Sequence, residues 1–328
     1  MIPALFASLA LPFLAPQLHV SVNAAAIPRS DDLDISQTLQ NILKNTHDSD
    51  AYSYPTDLTR GIIPKPIHSH NDYWRDVPFY SALSVGAISV EADVWLINGT
   101  LYVGHEESAL TETRTLDTLY IQPILDVVRR QNPTSAFVTD GPTKHGVFDA
   151  SADQTLYLFI DLKTEGSTTW PVVIEALKPL RDAGYLTTYN GTAVTTGPVT
   201  VIGTGNTPLD QVQGVSPRDY FFDANLALLD SAQANITSDV SPIASIPFGR
   251  YIGPMNGNQL NDTQLDILRS HLEVASAKGI KARYWDTPAF PLVKRNALWS
   301  ILLQEGVGLL NADDLKAAAG FAGINGYW

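Results

Sequence analysis

The chain has 328 residues, of which 45% are hydrophobic and 17% are charged, a composition typical of a folded globular protein and not of a disordered one. Its 21 basic and 34 acidic residues give a formal net charge of −13 without a visible basic stripe, which argues against nucleic-acid binding and against adsorption to anionic membranes by charge alone. The absence of cysteine excludes disulfides, thiolate metal sites and thiol nucleophiles.

The amino-terminal segment is predicted to be a targeting signal. Residues 2–16 form an uncharged apolar run of about 15 residues, shorter than the roughly 20 that span a bilayer. Val22 and Ala24 are spaced as at a signal-peptidase site, with cleavage before Ala25 or, as an alternative, after Ala26. We therefore predict a signal peptide over residues 1–24 and expect no transmembrane span in the mature chain.

Glycosylation sequons agree with entry into the secretory pathway. Four asparagines lie in Asn-x-Thr triplets, at Asn98, Asn190, Asn235 and Asn261. One such triplet arises easily by chance, but four behind a targeting signal predict a glycoprotein. We expect a monomer that is secreted or delivered to the vacuole.

The predicted elements alternate between strand and helix after a polar arm at residues 25–64, in which Leu39–Leu43 is predicted to form a turn or two of helix. Short apolar runs predict buried parallel strands at Pro66–His70, Ser89–Ile97, Leu156–Lys163, Val199–Gly203, Tyr220–Ala224, Ile243–Pro247, Ala282–Asp286 and Val307–Asn311. Amphipathic periodicity predicts helices at about Thr118–Arg130, Pro171–Asp182, Asp262–Lys278 and Pro291–Gln304.

This alternation predicts an α/β fold, a (β/α)8 TIM barrel formed by a single domain over residues 65–328. A doubly wound open sheet is the alternative. The sequence lacks the dinucleotide-binding fingerprint that would support this alternative. Gly203 and Gly205 are followed by Thr207-Pro208, which breaks the glycine spacing.

Three predicted strands end in a pair of functional residues spaced i, i+2: His68 with His70, Glu91 with Asp93, and Asp161 with Lys163. Alternate side chains of a strand share a face, so each pair points one way. In a barrel that direction is inward, toward the mouth where the strands end. Another histidine, His105, directly follows the short run Leu101–Gly104.

The acidic residues of these strands predict a metal site. Glu91 and Asp93 lie in an otherwise apolar strand, where two carboxylates repel each other and lose hydration. One divalent cation would remove both costs. Together with Asp161, the two residues offer three oxygen donors, which suit Mg²⁺ or Ca²⁺ better than Zn²⁺. A buried ion-pair cluster with Lys163 or an arginine is the alternative.

These residues resemble a known superfamily, the PLC-like phosphodiesterases. The strings Pro66-Ile-His68-Ser-His70-Asn-Asp-Tyr73-Trp and Ser89-Val-Glu91-Ala-Asp93-Val-Trp95-Leu are most similar to the fungal "altered inheritance of mitochondria" protein six family. Gly104-His105 and Asp161-Leu-Lys163 extend the resemblance, which weakens after Lys163.

The resemblance implies a distorted TIM barrel with one divalent metal, Mg²⁺ before Ca²⁺. Its activity would be that of a hydrolase acting on a phosphodiester of a small molecule or lipid, or that of a transphosphatidylase. By position, Glu91, Asp93 and Asp161 would bind the metal. His70 and His105 would be the general base and acid, since such chemistry needs one group to take a proton and another to give one.

Further positions follow from the same resemblance. Lys163 matches a catalytic basic residue, and Trp285 matches a substrate-side aromatic at the end of the seventh strand. His68 either contacts substrate or braces a metal ligand. The chain departs from glycerophosphodiesterases because Asn71-Asp72 follows His70 in place of Arg-Gly, so the head group is left open.

Two other functions compete with this prediction. A metal-dependent amidohydrolase would also carry the pair His68 and His70, but no further histidine occurs in the predicted strands Val199–Gly203, Tyr220–Ala224 or Ile243–Pro247. A catalytically silent barrel that binds lipid or carbohydrate is the non-enzymatic alternative. The sequence retains every residue of the proposed acid–base pair and metal site, which argues against a catalytically silent barrel.

Overall fold

The computed structural model describes residues 35–52, 54, 56–138 and 144–321. The predicted signal peptide, residues 1–24, lies outside the described residues. The chain divides into two compact units, Met1–Ser53 and Tyr54–Trp328. No helix in the described part of the chain has both the length and the apolar character needed to cross a bilayer.

The described part of the first unit contains one helix, α1 (Gln37–Thr46). The side chain of Ser36 caps it by accepting a hydrogen bond from the Leu39 backbone N–H. The helix is longer than the predicted turn at Leu39–Leu43 because the cap lies earlier in the chain. None of its residues is buried.

The last part of the predicted polar arm, from Tyr54 onward, belongs to the second unit. Thr59 is fully buried there. Its hydroxyl accepts hydrogen bonds from Gln131 Nε2 at 2.7 Å and from the Asp149 backbone N–H at 3.0 Å. Residues 54–64 therefore belong to the same compact unit as the barrel.

The second unit is a barrel of eight parallel strands, in the spatial order β10-β9-β8-β7-β4-β2-β1-β11. A parallel bridge between Arg283 and Leu309 brings the two ends of the sheet together, so that it nearly closes. The predicted TIM-barrel fold is thus confirmed. The strands are β1 (Lys65–Ser69), β2 (Ala87–Ile97), β3 (Thr100–Val103), β4 (Leu156–Leu162), β5 (Thr188–Tyr189), β6 (Val194–Thr195), β7 (Val199–Gly205), β8 (Phe221–Asn225), β9 (Ile243–Pro247), β10 (Lys281–Trp285) and β11 (Leu310–Ala312).

Two pairings lie outside the barrel path: β3 pairs antiparallel with β2, and β5 with β6. Helices follow most barrel strands, as the predicted alternation requires. They are α2 (Tyr80–Ser84), α3 (Gln122–Gln131), α4 (Gly166–Ala176), α5 (Lys178–Asp182), α6 (Asp210–Gln213), α7 (Phe248–Tyr251), α8 (Asp262–Ala277), α9 (Leu292–Gln304) and α10 (Leu315–Ala319).

Several other predicted elements also differ in extent from the observed ones. The helix predicted at Pro171–Asp182 is two helices, α4 and α5, and the first begins at Gly166 because Glu165 caps its backbone N–H groups. Pro171 lies inside α4 and does not start it. The last strand is shorter than the predicted Val307–Asn311, since only Leu310–Ala312 forms strand.

Side chains of the strands alternate between the barrel interior and the surrounding helices. On β2, Val90, Ala92 and Val94 are fully buried apolar residues of the core. Glu91 and Asp93 lie between them and therefore face the opposite way, into the barrel. On β2 the apolar side chains thus face the surrounding helices, and the carboxylates lie on the inner face that leads to the mouth.

Candidate active site

A cavity of about 420 Å³ opens where the barrel strands end. Most of its lining residues are polar or charged, and they include residues from the ends of β1, β2, β4, β7 and β10. The lining residues are His70, Asn71, Glu91, Asp93, His105, Asp161, Leu162, Lys163, Thr204, Gly205, Asn206, Arg283 and Trp285.

Three carboxylates meet at this cavity. Glu91, Asp93 and Asp161 each offer an oxygen, and these oxygens lie within 4.8 Å of one another. Burial, together with repulsion from Glu91 and Asp161, raises the pKa of Asp93 to about 6. Burial also raises the pKa of Asp161. The chain thus holds negative charges together at a cost in free energy that a bound cation would offset.

Lys163 lies between two of these carboxylates. Its ammonium nitrogen is 2.9 Å from Asp93 Oδ2 and 2.9 Å from Asp161 Oδ2. Burial alone would lower the pKa of Lys163, but the two aspartates raise it above its usual value, so the side chain stays charged. One ammonium balances one of the three carboxylates.

Gly205 leaves room for the Asp161 carboxylate. Its backbone is left-handed, with φ of 62°, and a Cβ added there would lie 1.9 Å from Asp161 Oδ1. A side chain at this position would displace the carboxylate as well as strain the backbone. The glycine therefore serves the geometry of the acidic cluster.

His70 is oriented by an aspartate from the far end of the chain. Its Nδ1 donates to Asp313 Oδ1 at 2.8 Å, while its Nε2 lies 3.8 Å from Glu91 Oε2. Arg75 fixes this corner by donating to the backbone carbonyls of His70, at 2.9 Å, and of Asp313. The ring thus presents Nε2 to the carboxylate cluster.

His105 approaches the cluster from the other flank and is half-exposed. Its Nδ1 is 3.3 Å from Asp93 Oδ2 and 3.0 Å from the Tyr73 hydroxyl. That hydroxyl donates to Asp93 Oδ2 at 2.7 Å and also contacts Asn71 Oδ1. Trp74 packs beside the His105 ring, with ring centroids 5.4 Å apart.

Asn71 connects the first strand to the acidic cluster. Its backbone is left-handed, with φ of 50°, a conformation that asparagine tolerates better than most residues. This geometry directs its N–H to Glu91 Oε2 at 3.0 Å. Burial alone would raise the pKa of Glu91, but the nearby Arg283 guanidinium holds it below its usual range.

His68 is completely buried beneath the cluster and does not line the cavity. Burial and Arg283 lower its pKa to about 3, so it is neutral. Its Nε2 accepts from Arg283 Nη1 at 2.7 Å, which leaves the ring proton on Nδ1 to be donated to Ser89 Oγ at 2.7 Å. Both ring nitrogens are engaged, which favours the bracing role and removes the paired histidine ligands that an amidohydrolase would need.

The other predicted site residues lie at exposed positions. Trp285 lines the cavity wall and is partly exposed, as a substrate-side aromatic would be. The four sequon asparagines are all exposed: Asn98, Asn190, Asn235 and Asn261. Asn261 also caps α8, its side chain accepting from the Gln264 backbone N–H.

Sequence reasoning missed four residues that hold the site together: Asn71, Tyr73, Arg283 and Asp313. Arg283 lies two positions before Trp285, and Asp313 two after Asn311, so the same alternation rule would place both on the inner face. Asp314 caps α10, while Asp313, directly before it, binds His70.

Comparisons with known proteins agree with this geometry. A family model described as the AIM6-like phosphodiesterase domain matches residues 56–223, just over half of the chain. The chain belongs to this family. The resemblance predicted from the histidine and carboxylate strings is therefore confirmed.

Curated relatives support the family across most of the barrel. The chain is 54% identical over 297 residues to the altered inheritance of mitochondria protein 6 homolog of Arthroderma benhamiae, covering 88% of this chain and 93% of that protein. It is 37% identical over 280 residues to the protein 6 of Eremothecium gossypii, covering 80% of this chain and 71% of the relative. The Saccharomyces cerevisiae protein is 32% identical over 283 residues.

Proposed function

We propose that the protein is a metal-dependent phosphoric diester hydrolase in which His70 and His105 form the acid–base pair. One observation carries the proposal: a single cavity brings together three carboxylates, two histidines and a lysine. The phosphodiesterase family of the chain supports the same reaction class.

The acidic cluster suits a hard divalent cation. Its three donors are carboxylate oxygens, which Mg²⁺ and Ca²⁺ prefer. Oxygens on opposite sides of an ion lie about 4.2 Å apart for Mg²⁺ and about 5 Å apart for Ca²⁺, so a spread within 4.8 Å fits Ca²⁺ as it stands and Mg²⁺ after a small contraction. Glu91, Asp93 and Asp161 would hold the ion, which would supply positive charge against the phosphoryl oxygens.

His70 fits the role of general base. The hydrogen bond from Nδ1 to Asp313 leaves Nε2 as the nitrogen that can take a proton at the cavity. The Asp313 carboxylate also stabilises the imidazolium that forms when Nε2 accepts the proton of the attacking hydroxyl. Position and orientation are therefore set before substrate binds.

His105 fits the role of general acid. Its Nδ1 faces two acceptors, Asp93 Oδ2 and the Tyr73 oxygen, which fix the ring and favour a proton on that nitrogen. As a general acid the ring carries a proton on both nitrogens, and Nε2 is the one that gives its proton to the leaving oxygen. Lys163 supports both steps, since its ammonium lines the cavity and can attract the phosphodiester anion.

Metal-dependent turnover tests the proposal directly. We expect the purified chain to hydrolyse bis(4-nitrophenyl) phosphate with Mg²⁺ or Ca²⁺ and to lose this activity in EDTA. Asp93→Asn should weaken metal affinity by about 10–100-fold or more, measured by calorimetric titration. Asp126→Asn, on the exposed face of α3, is the matched control. Metal binding that is equal in both variants would contradict the site.

We also propose that the chain enters the secretory pathway and is a glycosylated monomer. The supporting observations are the apolar leader and the exposure of all four sequon asparagines. Amino-terminal sequencing should give a start near Ala25, and glycosidase treatment should reduce the apparent mass. An intact Met1 with unmodified asparagines would refute this. Light scattering would test the monomer.

A further inference from the structure

The β7 side of the cavity carries a hydroxyl whose hydrogen-bonding direction is fixed. Thr204 lines the cavity, and its Oγ1 donates to Asp223 Oδ2 at 3.0 Å. A threonine hydroxyl has one proton and two lone pairs. Because the proton goes to Asp223, Thr204 can only accept a hydrogen bond from a molecule in the cavity.

Asp223 is suited to hold that direction. It projects from β8, next to β7, and its Oδ1 is buried without a hydrogen-bond partner among the described residues. Burial raises the pKa of Asp223 to about 6, so the side chain is ionised at pH 8. An ionised carboxylate only accepts hydrogen bonds, and it cannot return a proton to Thr204.

Asn206 adds a second acceptor on the same wall. Its Nδ2 donates to two backbone carbonyls, those of Lys163 at 3.4 Å and Thr164 at 3.2 Å. These partners fix which amide atom is the nitrogen. The remaining atom, Oδ1, receives no hydrogen bond from any residue in the described ranges, and Asn206 lines the cavity.

From these two acceptors we infer that the β7 wall selects substrates whose alcohol part carries neighbouring hydroxyl groups, a polyol or sugar. The inference rests on the proposed function and names its substrate class. Thr204 Oγ1 and Asn206 Oδ1 would each accept from one hydroxyl. A trimethylammonium head group has no N–H or O–H, and it would leave both acceptors desolvated and unpaired, which a hydrogen-bonding site discriminates against.

Equilibrium binding tests this preference without relying on turnover. The probes are sn-glycerol 3-phosphate and propyl phosphate, which share the phosphate and chain length and differ by two hydroxyls. In buffer at pH 8 with Mg²⁺, we expect calorimetry to show that glycerol 3-phosphate binds about 10-fold more tightly. Equal dissociation constants, or no binding of either probe, would overturn the inference. Tighter binding of phosphoethanolamine would also overturn it, in favour of an ammonium group.

Variants assign the preference to Thr204. Thr204→Val keeps the shape of the side chain and removes the acceptor, so the ratio of the two dissociation constants should fall by several-fold, toward 1 to 3. Thr204→Ser should restore it. Because each ratio is taken within one variant, any general loss of phosphate affinity cancels. A ratio unchanged in Thr204→Val would contradict the assignment.

Asp223 is a positioning residue in this account. In Asp223→Asn the new amide can donate to Thr204, which then turns its own proton toward the cavity. The ratio should fall as in Thr204→Val, although Asp223 does not line the cavity. A thermal melt confirms folding. Turnover of bis(4-nitrophenyl) phosphate on the same preparation judges the proposed function separately, and its absence would contradict that function whatever the ratio.

Discussion

The two halves of the barrel contribute different kinds of residue to the site. The first half, from β1 to β4, supplies the groups that would bind metal and move protons, including His70, Asp93 and Lys163. The second half, from β7 to β11, supplies residues that hold or face them, such as Arg283, which donates to His68, and Asp313, which accepts from His70. The reactive groups thus come from the first half, and part of their support comes from the opposite end of the sequence.

The largest effect should come from the reactive histidines of the first half. If both transfer protons in the transition state, His70→Ala and His105→Ala should each lower kcat by about 10²–10⁴-fold. The double variant should lose much less than the product of the two, because the residues act as a unit. Turnover of one phosphodiester by all three variants is the measurement.

The pH profile provides a second reading of the same pair. The wild-type kcat should be bell-shaped in pH, with apparent values that belong to the pair. His145→Ala, in a surface loop, is the matched control. Full activity of His105→Ala would show that His105 is not part of the acid–base pair. The first half of the barrel would then supply one proton-transfer residue.

The difference between the halves explains what the sequence predicts well. Glu91 and Asp93 are visible because charge is unusual inside an apolar strand, and the strands themselves are visible as β-branched runs between helices. Asp313 is not visible in this way, because an acidic residue before a helix is ordinary. Its role depends on the β1–β11 pairing, which joins residues more than 240 positions apart.

The next effect concerns the energetic cost of the acidic cluster without metal. The pKa of Asp93 is raised to about 6 from 3.8, so the folded state binds its proton more tightly than the unfolded state. This contribution to stability is present at low pH and is lost as pH rises toward 6. At full size it is about 3 kcal/mol. Glu91, with its lowered pKa, acts in the opposite direction only below about pH 4.5.

In EDTA, we therefore expect the free energy of unfolding to fall between about pH 4.5 and 6. Urea denaturation at several pH values is the measurement. Asp93→Asn should reduce this dependence without removing it, because the pKa of Asp223 is also raised to about 6 and contributes over the same pH range. Added Mg²⁺ or Ca²⁺ should stabilise the wild type at neutral pH. A free energy of unfolding that is independent of both pH and cation would show that the carboxylates do not repel one another in the folded state.

A smaller effect should come from Asp313, a support supplied by the second half. Asp313→Ala removes the acceptor that orients His70 Nδ1, and kcat should fall by about 10–100-fold, the range typical of groups that orient a functional residue. The acidic limb of the pH profile, which reports the general base, should also move, because His70 loses the carboxylate that stabilises its imidazolium. Asp313→Asn, which keeps an acceptor, should lose less. A fall in kcat with an unmoved pH profile would indicate a purely structural role.

The smallest effect on kcat should come from His68, although its replacement disturbs the core most. His68→Ala leaves Arg283 Nη1 without its acceptor and opens a cavity against the Phe159 ring. Such losses cost about 2–5 kcal/mol, or roughly 5–15 °C in Tm. Because His68 does not line the cavity, kcat of the folded fraction should fall by less than about 10-fold.

His68→Ala and His70→Ala together separate the two roles within one His-x-His pair. His70 is partly exposed at the cavity, so its replacement should affect kcat far more than Tm. His68 is buried, so its replacement should affect Tm far more than kcat. Measuring kcat and Tm for both variants gives four values. We expect the larger fall in kcat for His70→Ala and the larger fall in Tm for His68→Ala. If His68→Ala keeps its Tm and abolishes turnover while His70→Ala remains active, the proton-transfer residue is the buried histidine, and the assignment of reactive groups to the mouth of β1 is wrong.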